Sequence, residues 1–266
     1  MRIAVVAPSC TLKREAADAV AAIVASRGDC ELVVHPQCFS SEGHFAGPDE
    51  ERLAALRTVM ADDSIDAVWF ARGGYGSNRI AEAAVRNLPD AATSKAYLGY
   101  SDAGFLLAAF HKAGLRVAHG PMPSDVLRHG GDAAVTRALD FMVQRSDSGK
   151  EPGLDGPAFA FNLTVLSNFL GTKLEPDFAG RELIIEDIGE HLYRIDRTMF
   201  HLTGVASVRE IRRMRLGRIS DIIENEPVFL GDAESVVRDW CDKAGISYGG
   251  RADIGHDAGN RIVPFS

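Results

Sequence analysis

"YLGYSDAGFLLAAF", residues 97–110, runs from a short apolar segment into one with helical apolar spacing, and Ser101 stands at the junction. The pattern predicts a strand over 96–100 and a helix over 102–113, joined by a sharp bend. Two interpretations of the bend are open. Ser101 or Asp102 can cap the helix by accepting hydrogen bonds from its free N–H groups. Alternatively, the bend can present the serine hydroxyl as a nucleophile at the edge of a sheet.

The first half of the chain alternates short apolar runs with amphipathic segments. This spacing is typical of strands that are connected by helical crossovers. The strands are expected over residues 2–7, 31–36, 66–72, 96–100 and 117–121, and the helices over 13–27, 49–62, 78–87, 102–113 and 133–144. The alternation predicts a parallel sheet covered by helices on both faces, with functional residues at the carboxyl ends of its strands.

Residues 146–157, SDSGKEPGLDGP, interrupt this alternation. They are polar, rich in Gly and Pro and without periodicity, which predicts a linker between a first domain over 1–145 and a second over 158–266. The second domain is expected to contain a strand over 182–187 and helices over 163–170, 193–204 and 232–245. The arginines of 209–218 are interleaved with Ile, Met and Leu, so this stretch is interpreted as a solvated helix face.

Composition excludes several classes of protein. The 266 residues are 46% hydrophobic and 25% charged, which are ordinary values for a globular chain. The formal net charge of −8 disfavours a general nucleic-acid binder, and no apolar run approaches the roughly 20 residues that span a bilayer. The four cysteines show neither a C-x-x-C pair nor metal-ligand spacing, so a disulfide or zinc framework is not expected. A soluble cytoplasmic protein is the simplest interpretation.

A glycine-rich loop, ARGGYGSNR (71–79), follows one predicted strand and precedes a helix. Its backbone N–H groups would lie next to a helix N-terminus, which suits an anion, although its spacing matches neither the dinucleotide fingerprint nor the phosphate loop. A plain tight turn is the alternative. The loop and Ser101 are expected at the same sheet edge. The N–H of Asp102, with one from Gly73 or Gly74, is therefore a candidate for stabilising an oxyanion.

A nucleophilic serine needs a base and a group that orients the base. Among the eight histidines, His256 stands out because it lies between Gly255 and Gly259, in a loop whose backbone can approach another site closely. The other histidines are interpreted as structural or exposed: His35, His44, His111, His119, His129, His191 and His201. For the orienting acid, Glu186 and Asp187 end an apolar strand, and alternation lets only one of them reach a given site. A helix cap or a surface pair is the alternative for these two.

Six motifs then occur in an order that is specific in combination. They are RGGYGSNR, GYSD, HGP, NLTVLSNFLGT, IIEDIGEHLYRIDR and GHDAGN. Together they resemble the LD-carboxypeptidase family of serine peptidases, which includes muramoyl-tetrapeptide carboxypeptidases and self-immunity peptidases that inactivate microcin C-type antibiotics. The resemblance covers nearly the whole chain. It implies a flavodoxin-like parallel-sheet N-terminal lobe, a smaller β-rich α/β C-terminal lobe, and a Ser–Glu–His triad.

Carried over by position, the resemblance implies that Ser101 is the nucleophile, Glu186 rather than Asp187 the acid, and His256 the base. The chain departs from the family pattern in the second lobe at three places, namely Ala160–Phe161 in place of a common glycine pair, the acid Asp257 after the histidine, and the early end at Ser266. These departures concern substrate preference more than the triad.

The resemblance also implies a reaction: hydrolysis of the L,D-peptide bond to a terminal D-alanine in murein tetrapeptides, through an acyl-enzyme, in the cytoplasmic recycling of cell-wall peptides. The expected partner is a small peptide substrate. No cofactor, metal, nucleic acid or membrane is implied, and a homodimer is left open. Arg72 or Arg79 is the candidate for binding the terminal carboxylate.

Two other functions remain open. One is cleavage of an aminoacyl-nucleotide antibiotic, which would favour an aromatic side chain that stacks on a base. Only two tryptophans are present, and Trp69 is expected to be buried in its strand, which leaves Trp240. The other is a non-catalytic two-lobed protein that closes on a small ligand.

Overall fold

Five strands of the first half of the chain form a parallel sheet. In the computed structural model, which describes residues 1–266, they are β1 (Arg2–Val6), β2 (Glu31–Val34), β3 (Ala67–Phe70), β4 (Ala96–Gly99) and β5 (Arg116–His119). Their order across the sheet is β2-β1-β3-β4-β5, with parallel pairing throughout. This is the flavodoxin-like order, in which ligands bind outside the carboxyl ends of the strands. The predicted α/β class is confirmed.

Helices cover both faces of this sheet. They are α1 (Arg14–Arg27), α2 (Asp49–Ala61), α3 (Ser77–Ala84), α4 (Gly104–Lys112) and α5 (Gly131–Gln144). Because strand side chains alternate, Val5 and Trp69 pack in the cluster with α1 and α5, whereas Val6 and Phe70 pack in the cluster with α2, α3 and α4. All four side chains are buried, which explains why these strands read as continuous apolar runs.

The second half of the chain forms a second parallel sheet. Its strands are β6 (Ala158–Asn162), β7 (Glu182–Ile188), β8 (Arg213–Ser220) and β9 (Tyr248–Arg251), in that spatial order. The helices of this lobe are α6 (Leu163–Phe169), α7 (Leu192–Gly204) and α8 (Ala233–Ala244). Short 3₁₀ turns lie at Pro36–Phe39, Asp90–Ser94, Ser101–Ala103, Pro123–Leu127, Asp147–Gly149 and Ser207–Glu210. No helix of the chain combines the length and the apolar character that crossing a membrane requires.

The arginine-rich stretch 209–218 was predicted as a helix face, and that prediction is wrong: from Arg213 onward it is strand β8. Its residues alternate with a period of two, so that Met214 and Leu216 are fully buried in the core. Arg215 points the other way, and its guanidinium lies 2.7 Å from a carboxylate oxygen of Glu151 and 3.1 Å from one of Glu182. These buried acids are distant in sequence, so the arginine run alone could not indicate them.

We expect Arg215→Ala to lower the free energy of unfolding by about 3–5 kcal/mol, because it leaves the buried carboxylate of Glu151 without its counter-charge. Glu182 keeps its pairs with Arg212 and Arg213. The side chain of Arg215 is 8% exposed and those of Glu151 and Glu182 are each 1% exposed. The matched control is Lys243→Ala, which removes an exposed i,i+4 pair with Asp239 and should cost only about 0.3–0.5 kcal/mol. Urea unfolding of both variants measures the difference, and equal losses would contradict it.

The chain returns to the first sheet at its end. Strand β10 (Val263–Pro264) pairs antiparallel with β5, and Val263 lies opposite His119. Next to it, the Phe265 ring packs at 5.1 Å from the ring of Phe159 on β6. Buried side chains of the two lobes therefore form one continuous core. The predicted linker, 146–157, lies between the two sheets along the chain.

Candidate active site

Ser101 stands two residues after the end of β4, at the carboxyl end of this strand of the first sheet. Its φ angle of 58° lies in the left-handed region, which is costly for a residue with a side chain and is found mainly at functional turns. Neither this turn nor α4 has a side-chain cap. A Cβ atom on Gly73 would lie 2.9 Å from the Ser101 hydroxyl oxygen, so only glycine lets that loop approach so closely. The bend presents the hydroxyl to the glycine-rich loop.

The carboxylate of Asp102 ties the bend to two other strand ends. It accepts hydrogen bonds from the backbone N–H of Ser77, at 2.9 Å, and from the hydroxyl of Ser9. The hydroxyl of Ser77 in turn donates to the backbone carbonyl of Asp102. Asp102 therefore fixes Ser101 against the segments after β1 and β3. No local motif indicates these bonds, because each partner is an isolated serine.

His256 lies between Ser101 and Glu186. Its Nδ1 is 2.6 Å from Oε2 of Glu186, and its Nε2 is 3.0 Å from Oγ of Ser101. Because a carboxylate only accepts, Nδ1 carries the proton, and Nε2 is left to accept the proton of the serine hydroxyl. Burial by itself would lower the pKa of His256, but the charge and hydrogen bond of Glu186 raise it above its ordinary value. An arrangement of this kind activates a serine for attack.

Glu186 and Asp187 point to opposite faces of β7. Glu186 is fully buried, and His256 is its one hydrogen-bond partner. Asp187 instead accepts hydrogen bonds from Nδ2 of Asn162, at 2.6 Å, and from the hydroxyl of Thr164, at 2.8 Å. Burial is the main cause that raises the pKa of the Asp187 carboxyl. Glu186 thus binds the histidine, whereas Asp187 anchors the start of α6.

An irregularity in the pairing of the second sheet leaves space for the side chain of Glu186. The pairing of β7 with β8 is irregular between Ile185 and Asp187. Opposite this point stands Gly217, where a Cβ atom would lie 3.0 Å from the Cβ of Glu186. The same Cβ atom would lie 2.7 Å from Ile254, so a larger residue would crowd both Glu186 and the segment directly before His256.

The two arginines predicted to bind a carboxylate lie outside the cleft beside Ser101. Arg79 forms an ion pair with Asp49 at 2.8 Å and lies over the ring of Phe45. Arg72 is exposed, and its only hydrogen bond is to the carbonyl of Thr11 at 3.4 Å. Their role in binding substrate stays a prediction that no contact supports.

The cleft next to Ser101 has a volume of about 590 Å³. Its lining includes the carboxylates of Glu82, Asp187 and Glu190, and contains neither lysine nor arginine. Both tryptophans lie elsewhere: Trp69 is fully buried, and Trp240 donates a hydrogen bond to Asp196. A larger depression of about 880 Å³ lies at the amino ends of β4 and β5, away from the triad. No group of three or more His, Cys, Asp or Glu side chains is arranged to hold a metal ion.

A serine–histidine–carboxylate group at a strand end of a two-lobed α/β fold defines a serine hydrolase. The chain matches the LD-carboxypeptidase N-terminal domain over residues 3–120 and the LD-carboxypeptidase C-terminal domain over residues 155–266. It belongs to the LD-carboxypeptidase family, and is a hydrolase of the serine carboxypeptidase type.

Named relatives agree with this assignment. A murein tetrapeptide carboxypeptidase of Pseudomonas aeruginosa is 28% identical over 284 residues, covering 99% of this chain and 91% of its own. The crystal structure of a muramoyltetrapeptide carboxypeptidase from Oxalobacter formigenes superposes with a TM-score of 0.83 at 23% identity, covering 99% of this chain and 92% of its own. The microcin C7 self immunity protein MccF, in complex with aspartyl sulfamoyl adenosine, superposes with a TM-score of 0.81 at 18% identity, covering 100% and 91%. Similarity to these two structures establishes the fold alone.

Proposed function

We propose that the protein is a serine LD-carboxypeptidase that releases the terminal D-alanine from murein tetrapeptides during the recycling of cell-wall peptides in the cytoplasm. The observation that carries this proposal is the hydrogen-bonded line from Ser101 through His256 to Glu186, with distances of 3.0 and 2.6 Å. The name of the Pseudomonas aeruginosa relative supports the substrate.

The first half of the reaction acylates the serine. Nε2 of His256 takes the hydroxyl proton while Oγ of Ser101 attacks the carbonyl carbon of the L,D-peptide bond. Negative charge develops on the carbonyl oxygen, and the N–H of Asp102 with one from Gly73 or Gly74 stabilises it. The His256 imidazolium then gives its proton to the departing amine, and D-alanine leaves.

The second half returns the enzyme to its starting state. Water enters, His256 takes one of its protons, and the resulting hydroxide attacks the ester carbonyl of the acyl-enzyme. The same imidazolium then protonates Oγ of Ser101, which releases the shortened peptide. The carboxylate of Glu186 accepts the proton of Nδ1 in a hydrogen bond and stabilises the imidazolium of His256 that forms twice per turnover.

The lining of the cleft is relevant to both candidate substrates, the murein peptide and the aminoacyl-nucleotide. Carboxylates of Glu82, Asp187 and Glu190 line it, and no cation among the lining residues would compensate a phosphate or a similar anion. No tryptophan lines the cleft, and the exposed aromatic side chain there is that of Tyr75. A murein tetrapeptide also ends in a carboxylate, so the charge of the lining does not rank the two substrates. The name of the Pseudomonas aeruginosa relative favours the peptide, and the antibiotic is the second candidate.

The packing of the lobes disfavours a protein that merely closes on a ligand. Such closure needs a hinge between lobes that separate. Here β10 of the second half of the chain is paired into the first sheet, and the buried apolar side chains are continuous between the lobes. The lobes are therefore held as one body around the site.

A substrate panel tests the proposal. Purified protein is incubated with murein tetrapeptide, tripeptide and pentapeptide and with an aminoacyl-adenylate mimic, and released amino acid is quantified by chromatography. We expect D-alanine from the tetrapeptide, with the Ser101→Ala variant as the blank for contaminating peptidases. Cleavage of the adenylate mimic alone would instead support the second candidate function, cleavage of an aminoacyl-nucleotide. Inactivity toward all four substrates would overturn the proposal.

Chelation provides a separate check on the mechanism. Because no side-chain group has metal-ligand geometry, we expect the rate of D-alanine release to be the same before and after dialysis against a chelator. The control is a zinc carboxypeptidase treated in parallel, which should lose activity. Loss of activity on chelation, restored by a divalent ion, would show that hydrolysis uses a metal and that the serine mechanism is wrong.

A further inference from the structure

His119 and Asn260 form a buried hydrogen-bonded pair beside the triad. His119 is the last residue of β5, and both side chains are 1% exposed. Nε2 of His119 lies 3.1 Å from Oδ1 of Asn260, and the backbone N–H of Gly255 donates to the same oxygen at 3.2 Å. Because an amide N–H only donates, Oδ1 is the acceptor in both bonds, so Nε2 of His119 carries a proton. The pair thus links a strand of the first sheet to the residue directly before His256.

Burying the polar atoms of His119 and Asn260 would cost free energy with no gain if the pair served only to pack the core. Nδ1 of His119 and Nδ2 of Asn260 are buried without a hydrogen-bond partner, and each such atom costs free energy of desolvation. Burial lowers the pKa of His119 to about 4, so the ring is neutral near pH 7. An apolar side chain would fill the same space without that cost. What the pair adds is one directed hydrogen bond to the loop that carries His256.

Apart from the bond between Ser101 and His256 itself, no other hydrogen bond from the first lobe reaches so close to the base. Nη1 of Arg137, on α5, donates to the backbone carbonyls of Ala258 and Asn260, at 3.0 and 2.8 Å, which fixes the far end of the loop. Strand β10 fixes the chain beyond it. Arg218 on β8 holds the neighbouring residues Ile254 and Asp257. The backbone N–H of Gly255 itself, at a φ of 158°, donates to Oδ1 of Asn260.

A second contact supports the ring of His256 from its side. The Tyr100 ring lies 4.9 Å from the ring of His256 and 5.5 Å from the ring of His119. The hydroxyl of Tyr100 donates to Oδ1 of Asp125 at 2.8 Å, which holds the phenol in place. His119 therefore contacts His256 indirectly by two routes. One runs through Asn260 to the backbone of Gly255, and the other runs through the ring of Tyr100.

We propose that His119 is a positioning residue for the base: by donating to Asn260 it sets the location of Gly255 and His256 relative to Ser101. This inference rests on the proposed role of His256 as the base. His119 does not touch the reacting atoms. Its removal should therefore lower the rate of the chemical step and leave substrate binding largely unchanged.

The test compares His119→Leu, which removes the donor, with His119→Gln, whose amide can still donate to Asn260. We expect His119→Leu to lower kcat about 100-fold, the effect of a displacement near 1 Å at a reacting group, with KM changed by less than about threefold. His119→Gln should recover most of the rate. The matched control is Tyr97→Phe, which removes one buried hydrogen bond of β4, to the carbonyl of Ala92, at the opposite end of the sheet.

Asn260→Ala provides the second variant, because it breaks the same link from the other side. Asn260→Ala removes both bonds to Oδ1, those of His119 and of Gly255. In the double variant with His119→Leu, the loss in kcat should therefore be no larger than in Asn260→Ala alone. Additive losses would overturn the inference. It is also overturned if His119→Leu keeps the wild-type kcat, if His119→Gln loses as much as His119→Leu, or if Tyr97→Phe loses equally.

A readout without substrate separates this inference from the proposed function. Histidine-labelled protein is titrated by NMR, with His256→Gln used to assign the His256 signals. The charged groups around His256 are Glu186 on β7, and Asp125 and Arg128 after β5. Loosening the pair with Glu186 should lower the pKa of His256 in His119→Leu but not in Tyr97→Phe. If that shift occurs while the wild type leaves the tetrapeptide intact, the function is wrong and the positioning stands; an unchanged pKa overturns the positioning.

Discussion

Replacing Ser101 with alanine is expected to lower kcat for D-alanine release by about 10⁴-fold or more, while the protein stays folded. The hydroxyl is 3.0 Å from the base, and alanine removes the only atom that can attack the peptide carbonyl. Members of a triad act as a unit, so the loss of one removes nearly the whole contribution of the group. Activity and thermal unfolding are to be measured on the same preparation.

The thermal measurement tests the interpretation of Ser101 as a helix cap. Loss of a capping serine costs about 1 kcal/mol, but the side chain of Ser101 makes no capping bond, so Ser101→Ala should melt close to the wild type. Ser101→Gly is the matched variant: at a φ of 58°, glycine should gain about 1 kcal/mol of stability and be equally inactive. An alanine variant that melts early yet still releases D-alanine would exclude Ser101 as the nucleophile.

Glu186→Gln should lower kcat by about 10⁴-fold, because an amide in place of the carboxylate favours the wrong tautomer of His256. The neighbouring change Asp187→Asn is the control, since it alters the adjacent acid on the same strand, whose oxygens bind Asn162 and Thr164 instead. We expect Asp187→Asn to keep kcat within about tenfold. The reverse ranking of the two variants would assign the orienting role to Asp187.

The pH dependence of kcat/KM tests whether the charge of Glu186 acts on His256. His256 must be neutral to accept the serine proton, so activity should fall as the pH drops through its pKa. Glu186 raises the pKa of His256 because its negative charge stabilises the imidazolium. Without that charge the imidazolium is less stable, and the pKa of His256 is lower. The acidic limb of the residual activity of Glu186→Gln should therefore lie at lower pH than that of the wild type. A shift to higher pH would show that Glu186 does not act on His256 through its charge.

Local patterns in the sequence were enough to predict the first sheet. Each of its five strands is an apolar run followed by an amphipathic segment, because a strand buried on both faces and a helix buried on one leave distinct patterns. The predicted helix over 102–113 instead begins with a 3₁₀ turn at Ser101–Ala103. Nothing in GYSD indicates the left-handed backbone of Ser101, because it depends on contacts with Gly73 and Ser77 from another strand end.

The second lobe was harder to predict, for two physical reasons. Its strands β9 and β10 are short and contain Gly or Pro, and their place is fixed by pairing with β8 and with the distant β5. The arginines of β8 look like a solvated surface until the buried Glu151 and Glu182 are placed beside them. Alternation showed that only one acid of the pair 186–187 can face a given site, but the choice of Glu186 came from the family resemblance.

The pairing of β10 with β5 has a consequence for the time at which activity appears during folding. Val263 and His119 are 144 positions apart in the chain, and pairings between such distant segments form late because a long loop must close first. The bend with Ser101 belongs to a sheet whose other strands are local in sequence. We therefore expect the chain to become active only after this pairing has formed, because the loop with His256 lies directly before β10 and is placed beside Ser101 by it. Until then the chain should be inert toward other peptides in its surroundings.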